Sequence, residues 1–285
     1  VHDEPLSVSS TGQEELLDIR VAEASAWRRW YLKNERLLFG LIGFFSVVIA
    51  WELAVRLGLL KLVFISSPSK IVEAAQLEVR QGRIWGDIGV SLLEFSLGYL
   101  IAAVLGIVIG LVAGWFRRAN YIVDPWLSAL YATPDVALVP LIIIVLGIGL
   151  WAKVFVVFLT ALFSVAVNAL IGVQSTEPRL LEVATSFGAS RFRVFRTVVL
   201  PSAVPFILTG LRLAAGRALV GMVLAELIAA NQGIGFIISV AGATLNTGRL
   251  MLGVVLLGAF GVLLGEILRR VEQRFEVWRP QRAET

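Results

Sequence analysis

Long apolar runs constrain this chain more than any other feature. Six stretches, roughly residues 37–57, 89–115, 122–147, 151–173, 203–230 and 249–269, are dominated by Leu, Ile, Val, Ala, Phe and Gly. A helix rises 1.5 Å per residue, so about twenty apolar residues match a hydrocarbon layer about 30 Å thick. Of the 285 residues, 58% are hydrophobic and only 16% charged, against about half and a quarter in soluble domains. These runs predict an all-α polytopic membrane protein with about six transmembrane helices, filling residues 37–270. Lipid offers no partner for backbone N–H and C=O groups, so such runs must satisfy them internally as helices.

The polar residues narrow the chemistry. There is no cysteine, and the one histidine is His2, so neither a thiol nor an imidazole centre for metal or acid–base chemistry is available. Basic residues gather at the ends of the apolar runs, which suits membrane orientation better than nucleic acid. With a cytosolic N-terminus, the inner segments hold Arg20, Arg28, Arg29, Lys33, Arg36, Arg117, Arg118, Arg179, Arg191, Arg193 and Arg196. The C-terminal arginines 269, 270, 274, 279 and 282 join them, making more than half of the 25 Lys and Arg. Arg56, Lys61, Lys70, Arg80, Arg83, Lys153 and Arg249 fall outside. The bias predicts both termini in the cytosol, with a C-terminal tail over 271–285.

Residues 1–12 are Ser/Thr-rich and read as disordered. Residues 13–36 set Trp27, Trp30 and Tyr31 among Arg28, Arg29 and Lys33, the pattern of an amphipathic helix lying in the headgroup layer. That long polar lead is no cleavable signal peptide. Gly106, Gly110 and Gly114 in the second run, four apart, leave a groove for a closely packed helix. Pro125, Pro134 and Pro140 interrupt the third run. Between the fifth and sixth, "NQGIGFIISVAGATLNTGR" is too short and glycine-rich to cross and reads as a surface or re-entrant helix.

Residues 175–201 interrupt the apolar pattern with a polar, arginine-bearing passage. Thr176 is placed to cap a first short helix, Pro178 suits its first turn, and Gly188 supplies its stop. Leu180, Val183, Ala184 and Phe187 share a face. Ser190 is placed to cap a second helix, with Phe192, Phe195 and Val199 in one stripe and Arg193 and Arg196 in another. Pro201 then opens the next span. The passage predicts a rigid helical knuckle outside the bilayer, a handle for a partner.

This knuckle resembles the cytosolic signature loop of ATP-binding-cassette importer permeases, whose pattern is Glu-Ala-Ala, three residues, Gly, nine residues, Ile-x-Leu-Pro. Glu182, Ala184, Gly188, Leu200 and Pro201 match, while Val183 and Val198 are small apolar replacements. "DPWLSALYATPDVALVPLIIIVLGIG", "LPSAVPFILTGLRLAAGRAL" and "AELIAANQGIGFIISVAG" look like the nitrate, sulfonate and taurine branch, and the likeness spans roughly residues 60–280. Relatives often show a Trp before the "GIG" stretch, where this chain has "IVLGIG".

The resemblance implies the type I importer permease fold, working as a dimer with a second copy in the cell inner membrane. It implies two cytosolic ATPase subunits, docked on Glu182, Val183, Ala184, Gly188, Ala189, Ser190, Arg191, Leu200 and Pro201, and an extracytoplasmic binding protein that delivers a small anion such as nitrate, a sulfonate or taurine. No G-x-x-x-x-G-K-[ST] motif occurs in the sequence, so ATP and Mg are expected on the ATPase partner, with no cofactor, metal site or catalysis in this chain.

Glu94 in the second run, and Arg212, Arg217 and Glu226 in the fifth, are the ionisable residues inside those two runs. Such groups face protein or water, so they line a solute path, the arginines suiting an anion, or form a structural ion-pair set. Arg212 and Glu226 lie about 21 Å apart along one helix at 1.5 Å per residue and cannot pair. Asn231, Gln232 and Asn246 belong to an outer polar loop, free to meet a binding protein. The alternative function is an ion-coupled secondary transporter using Glu94 or Glu226, although the matched broken spans of that class are missing from the sixth run. A membrane enzyme finds no cluster of catalytic residues.

Overall fold

The computed structural model describes residues 31–32, 34–35, 38–59 and 65–275. The expected disordered N-terminus, most of the 13–36 interfacial helix and the end of the C-terminal tail lie outside them. The chain divides into two compact units, 1–61 and 62–285. The first contains helix α1, Leu38–Arg56, uninterrupted and apolar.

The second unit is all helical among the described residues. Its elements are α2 (Pro68–Arg80), α3 (Arg83–Trp115), α4 (Arg117–Ala132), α5 (Asp135–Leu146), α6 (Leu150–Gln174) and α7 (Pro178–Ser186). There follow α8 (Arg191–Val194), a π-helical turn (Phe195–Val199), α9 (Leu200–Ala229), α10 (Ile234–Ala243) and α11 (Thr247–Phe275). Five helices are long and apolar enough to cross a membrane, or six if the pair α4–α5 is one span. The six runs seen in the sequence are all accounted for.

The core is built on α6, flanked by α3 and α9. On α3, Gly98, Ala102, Gly106, Gly110 and Gly114 recur every four residues and present almost no side chain. Opposite them on α6 stand Val157, Ala161, Val165, Ala169 and Val173, also every four. An added Cβ at Gly98 would lie 2.6 Å from Val157 Cβ, one at Gly106 2.8 Å from Val165 Cβ, and one at Gly114 2.6 Å from Val173 Cβ. The predicted groove is real, and Gly98 and Ala102 extend it two positions beyond the three glycines. Gly172 and Gly210 do the same between α6 and α9, where a Cβ would meet Phe206 and Asn168 respectively. Tyr99 ties the third side by donating its hydroxyl to the Leu211 carbonyl at 2.9 Å. The opposite row on α3, Leu100, Val104, Val108 and Val112, is exposed, as a lipid-facing row would be.

Two expectations need correction. Only Pro134 breaks the third run: α4 and α5 meet there at 101°, whereas Pro125 and Pro140 sit inside helices. Thr133, before Pro134, is extended (φ −75°, ψ 132°), because the proline ring clashes with a helical residue preceding it. Its N–H and hydroxyl stay satisfied by the Leu130 and Ala129 carbonyls. Second, Pro201 does not open a separate span, since α8, the π turn and α9 form one 39-residue helix from Arg191 to Ala229. The π turn admits Pro201, which has no N–H to give and whose ring crowds the preceding turn. Before the second run, α2 starts at Pro68 with Ser67 as its cap, accepting from the Lys70 N–H.

The α3–α6 seam should tolerate no added volume. Gly98→Leu should lower the unfolding midpoint in detergent, at about 1–3 kcal/mol of overpacking. Gly86→Ala on the same helix, where an added Cβ meets nothing within 4 Å, should leave it unchanged or raise it. Equal midpoints for the two variants would contradict the seam.

Candidate functional site

Two groups of residues stand at opposite ends of the packed trio. The first is the 175–201 corner, where α6 ends and α9 begins. Its turn is a complete glycine-terminated helix stop. Gly188 has φ +72°, its N–H reaches the Thr185 carbonyl at 2.9 Å, and the Ala189 N–H reaches back to Ala184 at 3.1 Å. That pair of bonds satisfies carbonyls a helix end leaves open, and the left-handed residue between them is most easily glycine. Ser190 then caps α8 by accepting from the Arg193 N–H, as expected. Thr176 does not cap α7. The cap residue is Glu177, which makes no side-chain bond, and the buried Thr176 hydroxyl finds no partner among the described residues.

The faces of α7 also separate more finely than expected. Leu181, Ala184 and Ala189 pack inward on a cluster that includes Val194, Val199 and Ala203. Leu180, Val183, Phe187 and Phe192 point out, Phe187 being 88% exposed. Ala184 therefore belongs to the inner face, not to the Leu180–Phe187 face, and Phe192 leaves the stripe of Phe195 and Val199. Phe195 packs against Trp115 at the end of α3, ring centroids 5.3 Å apart and planes tilted by 58°. Glu182 and Arg191 are exposed, Leu200 and Pro201 half-buried.

The second group lies far from that corner. Glu226 stands 26 residues beyond Leu200 on the α9 helix, about 39 Å along its axis. Glu94 and Glu226 are both fully buried, and the structure brings their carboxyl groups together. Lys153 closes the group by an ion pair with Glu94. Glu226 accepts from the Ser91 hydroxyl and from the Gly235 N–H, each at 2.6 Å. Ser91 in turn accepts from the Ile234 N–H and Asp87 from the Gly233 N–H, both at 2.9 Å.

The start of α10 is thus capped from α3 and α9 rather than by its own sequence. Three N–H groups that a helix leaves without internal partners meet two carboxylates and a hydroxyl, and the helix dipole favours negative charge there. Gly233 and Gly235 are small because Glu226 lies against them: an added Cβ at Gly235 would approach Glu226 Cβ to 2.7 Å.

Lys153 is therefore no outer-loop charge, as the orientation count took it; it is the fourth residue of α6 and is buried. Lys153, Asp87 and Ser91 escaped the sequence reading because each sits near a helix start, where polar residues are ordinary. The two span arginines take other partners. Arg217 pairs with Asp135 at 2.7 Å and covers the Tyr131 ring at 4.9 Å, bracing the α4–α5 break. Arg212 reaches Glu272 on α11 at 3.3 Å and stays largely exposed. Asp135 went unnoticed, although an acid directly after Pro134 signals a helix start. Glu78 on α2 and Arg249 on α11 form another buried contact, 2.7 Å long.

Breaking the Glu94–Lys153 pair from one side should be costly. Lys153→Met leaves two buried carboxyls facing each other and should lose about 3–5 kcal/mol of stability in a denaturant titration. Adding Glu94→Gln should recover part of the loss. Equal stability of Lys153→Met and the parent protein would show that the pair does not hold this end together.

Residues 106–277 match the family described as binding-protein-dependent transport system inner membrane component. The chain is 32% identical over 256 residues to the taurine transport system permease protein TauC of Escherichia coli, covering 88% of this chain and 92% of that protein. It is 31% identical over 235 residues to the putative aliphatic sulfonates transport permease protein SsuC of Bacillus subtilis, covering 82% and 85%. Among solved structures, a chain of the MetNI methionine ABC transporter in an inward-facing conformation superposes with a TM-score of 0.61 at 17% identity, covering 70% of this chain and 98% of that one.

Proposed function

The chain belongs to the family of binding-protein-dependent transport system inner membrane components, and from that premise we propose how it works as an importer permease. Two copies form the pathway for a small anion of the sulfonate class, and each copy docks the 175–201 corner on a cytosolic ATPase subunit. The observation that carries this is the corner itself. A glycine stop and an inward Ala184 make it rigid, while Leu180, Val183, Phe187 and Phe192 offer exposed apolar side chains outside the membrane domain. Isolated apolar residues at a surface are ordinary; four together on one projecting turn fit a groove on a partner.

ATP and Mg are bound by that ATPase, whose closure draws the two corners together. Because α8 runs through the π turn into α9 without a joint, displacement of the corner moves α9, and α9 moves α6 and α3 through their close seams. A binding protein delivers the solute on the opposite face, near Asn231, Gln232 and Asn246. The charge bias supports cytosolic termini.

The solute class is supported by the relatives named for taurine and aliphatic sulfonates. Of the four span charges, Arg217 fits a pathway best. It is partly exposed, sits where α4 and α5 break apart, and its guanidinium is the right fork for a sulfonate. Arg212 lies nearer the corner and meets the solute later. Glu94 and Glu226 anchor α10 rather than touch solute. Ion-coupled transport through either of them gains no support, since both are sealed by protein partners.

Gly188→Val tests the docking role. A β-branched residue at φ +72° costs about 1–3 kcal/mol of local strain, so the corner should deform while the spans stay inserted. In proteoliposomes holding the permease and its ATPase, the variant should keep ATP hydrolysis and lose most transport. Transport at the parent rate would refute the docking role. Separately, Arg217→Gln should weaken uptake of a sulfonate substantially more than it lowers thermal stability.

A further inference from the structure

The α3–α4 turn and the α7–α8 turn enclose a cavity of about 500 Å³ whose polar lining is basic. Arg117, Arg118 and Arg191 reach it, over an apolar floor that includes Trp115, Leu181 and Val194, and no carboxylate lines it. Arg56, Arg212, Arg217, Arg249, Arg269 and Arg270 each have a carboxylate partner, whereas these three have none among the described residues. What sets these three apart is the shared cavity, since Arg80, Arg83, Arg179, Arg193, Arg196 and Arg274 likewise lack a carboxylate partner among the described residues. Arg117 is nonetheless held in place: its Nε donates to the Tyr121 hydroxyl at 2.5 Å and its guanidinium lies 5.5 Å from that ring. Its terminal N–H groups remain to serve another acceptor.

Position decides which acceptor. Trp115 is the last residue of α3, an apolar helix of 33 residues, and Phe116 and Arg117 follow at once. Aromatic rings at the end of a span mark the depth of the headgroups, which puts the cavity level with lipid phosphates. Basic pockets between helices at that depth take anionic headgroups, and paired guanidinium groups match phosphate oxygens in geometry as well as charge.

We propose that this cavity binds the phosphate of an anionic phospholipid, with the apolar floor against the lipid glycerol. The cavity shares Ala189 and Arg191 with the proposed ATPase-docking corner, so the lipid site rests on the reading that this corner stands at the membrane surface, while its readout, lipid retention, is separate from ATP-driven transport. Its occupant would bridge the α3–α4 turn to the α7–α8 turn, two segments that otherwise meet through side chains alone.

The full chain in its complex, purified in detergent, would be titrated with phosphatidylglycerol and with phosphatidylcholine and examined by native mass spectrometry. The parent protein should retain phosphatidylglycerol about tenfold better, and Arg117→Gln/Arg118→Gln should abolish that preference. Arg117→Lys/Arg118→Lys should keep a large part of it, which separates loss of charge from misfolding. Arg269→Gln/Arg270→Gln, removing arginines already paired with Glu266, should keep all of it. Equal retention of the two lipids by the parent, or an undiminished preference in the Gln double variant, would overturn the proposal. So would displacement of phosphatidylglycerol by millimolar inorganic phosphate, which would mark a soluble-anion site instead.

Discussion

The close approach of α3 to α6 is the constraint on which the remaining architecture depends. In lipid, helices gain little from leaving a medium as oily as themselves, so association rests on packing and on the few bonds between them. A row of Gly and Ala every four residues brings the two backbones within reach of each other, and the valines of α6 fill the row. With α6 fixed on α3, its other face receives α9 through Gly172 and Gly210. Everything with a candidate role hangs from this trio: the 175–201 corner is the link between α6 and α9, and the buried acids sit where α3, α6 and α9 meet α10.

The two ends of the trio use opposite chemistry. At the corner, the backbone is closed locally, by a left-handed glycine and a serine cap, and apolar side chains are left uncovered. At the far end, α10 has no local cap and is closed by Asp87, Ser91 and Glu226 from other helices. Burying such groups is expensive unless each is paired, and here Lys153, three backbone N–H groups and a hydroxyl supply the partners. One end is thus built to be covered by something else, the other to be complete in itself. That difference is the physical reason for proposing docking at the corner and anchoring at the acids.

Much of this was legible in the sequence, and the reasons for the exceptions are specific. Runs of apolar residues locate helices because lipid admits little else, so the five long helices and the bent α4–α5 pair were all visible. Gly188 and Ser190 were visible because a turn of that kind has a narrow choice of residues. Thr176 misled because its hydroxyl type suits a cap, while the helix start is set one residue later by Pro178. Pro125 and Pro140 misled because proline forbids one hydrogen bond, not a helix; only at Pro134 does the preceding residue turn extended. Lys153 was counted as a loop charge because charge at a span's edge carries no sign of which way it points. The joint expected at Pro201 vanished into a π turn, a device with no sequence signature of its own.

The account's central claim is that the corner and α9 move as one body when nucleotide binds. The cysteine-free sequence suits a direct measurement: a spin label at Thr197→Cys, on the exposed side of the π turn, reports the distance between the two copies in the assembled transporter by pulsed electron resonance. The account predicts a shorter distance with ATP trapped than without nucleotide, and a matching change from a second label at Thr209→Cys further along α9. A distance at Thr197 that shifts while that at Thr209 stays fixed would contradict it.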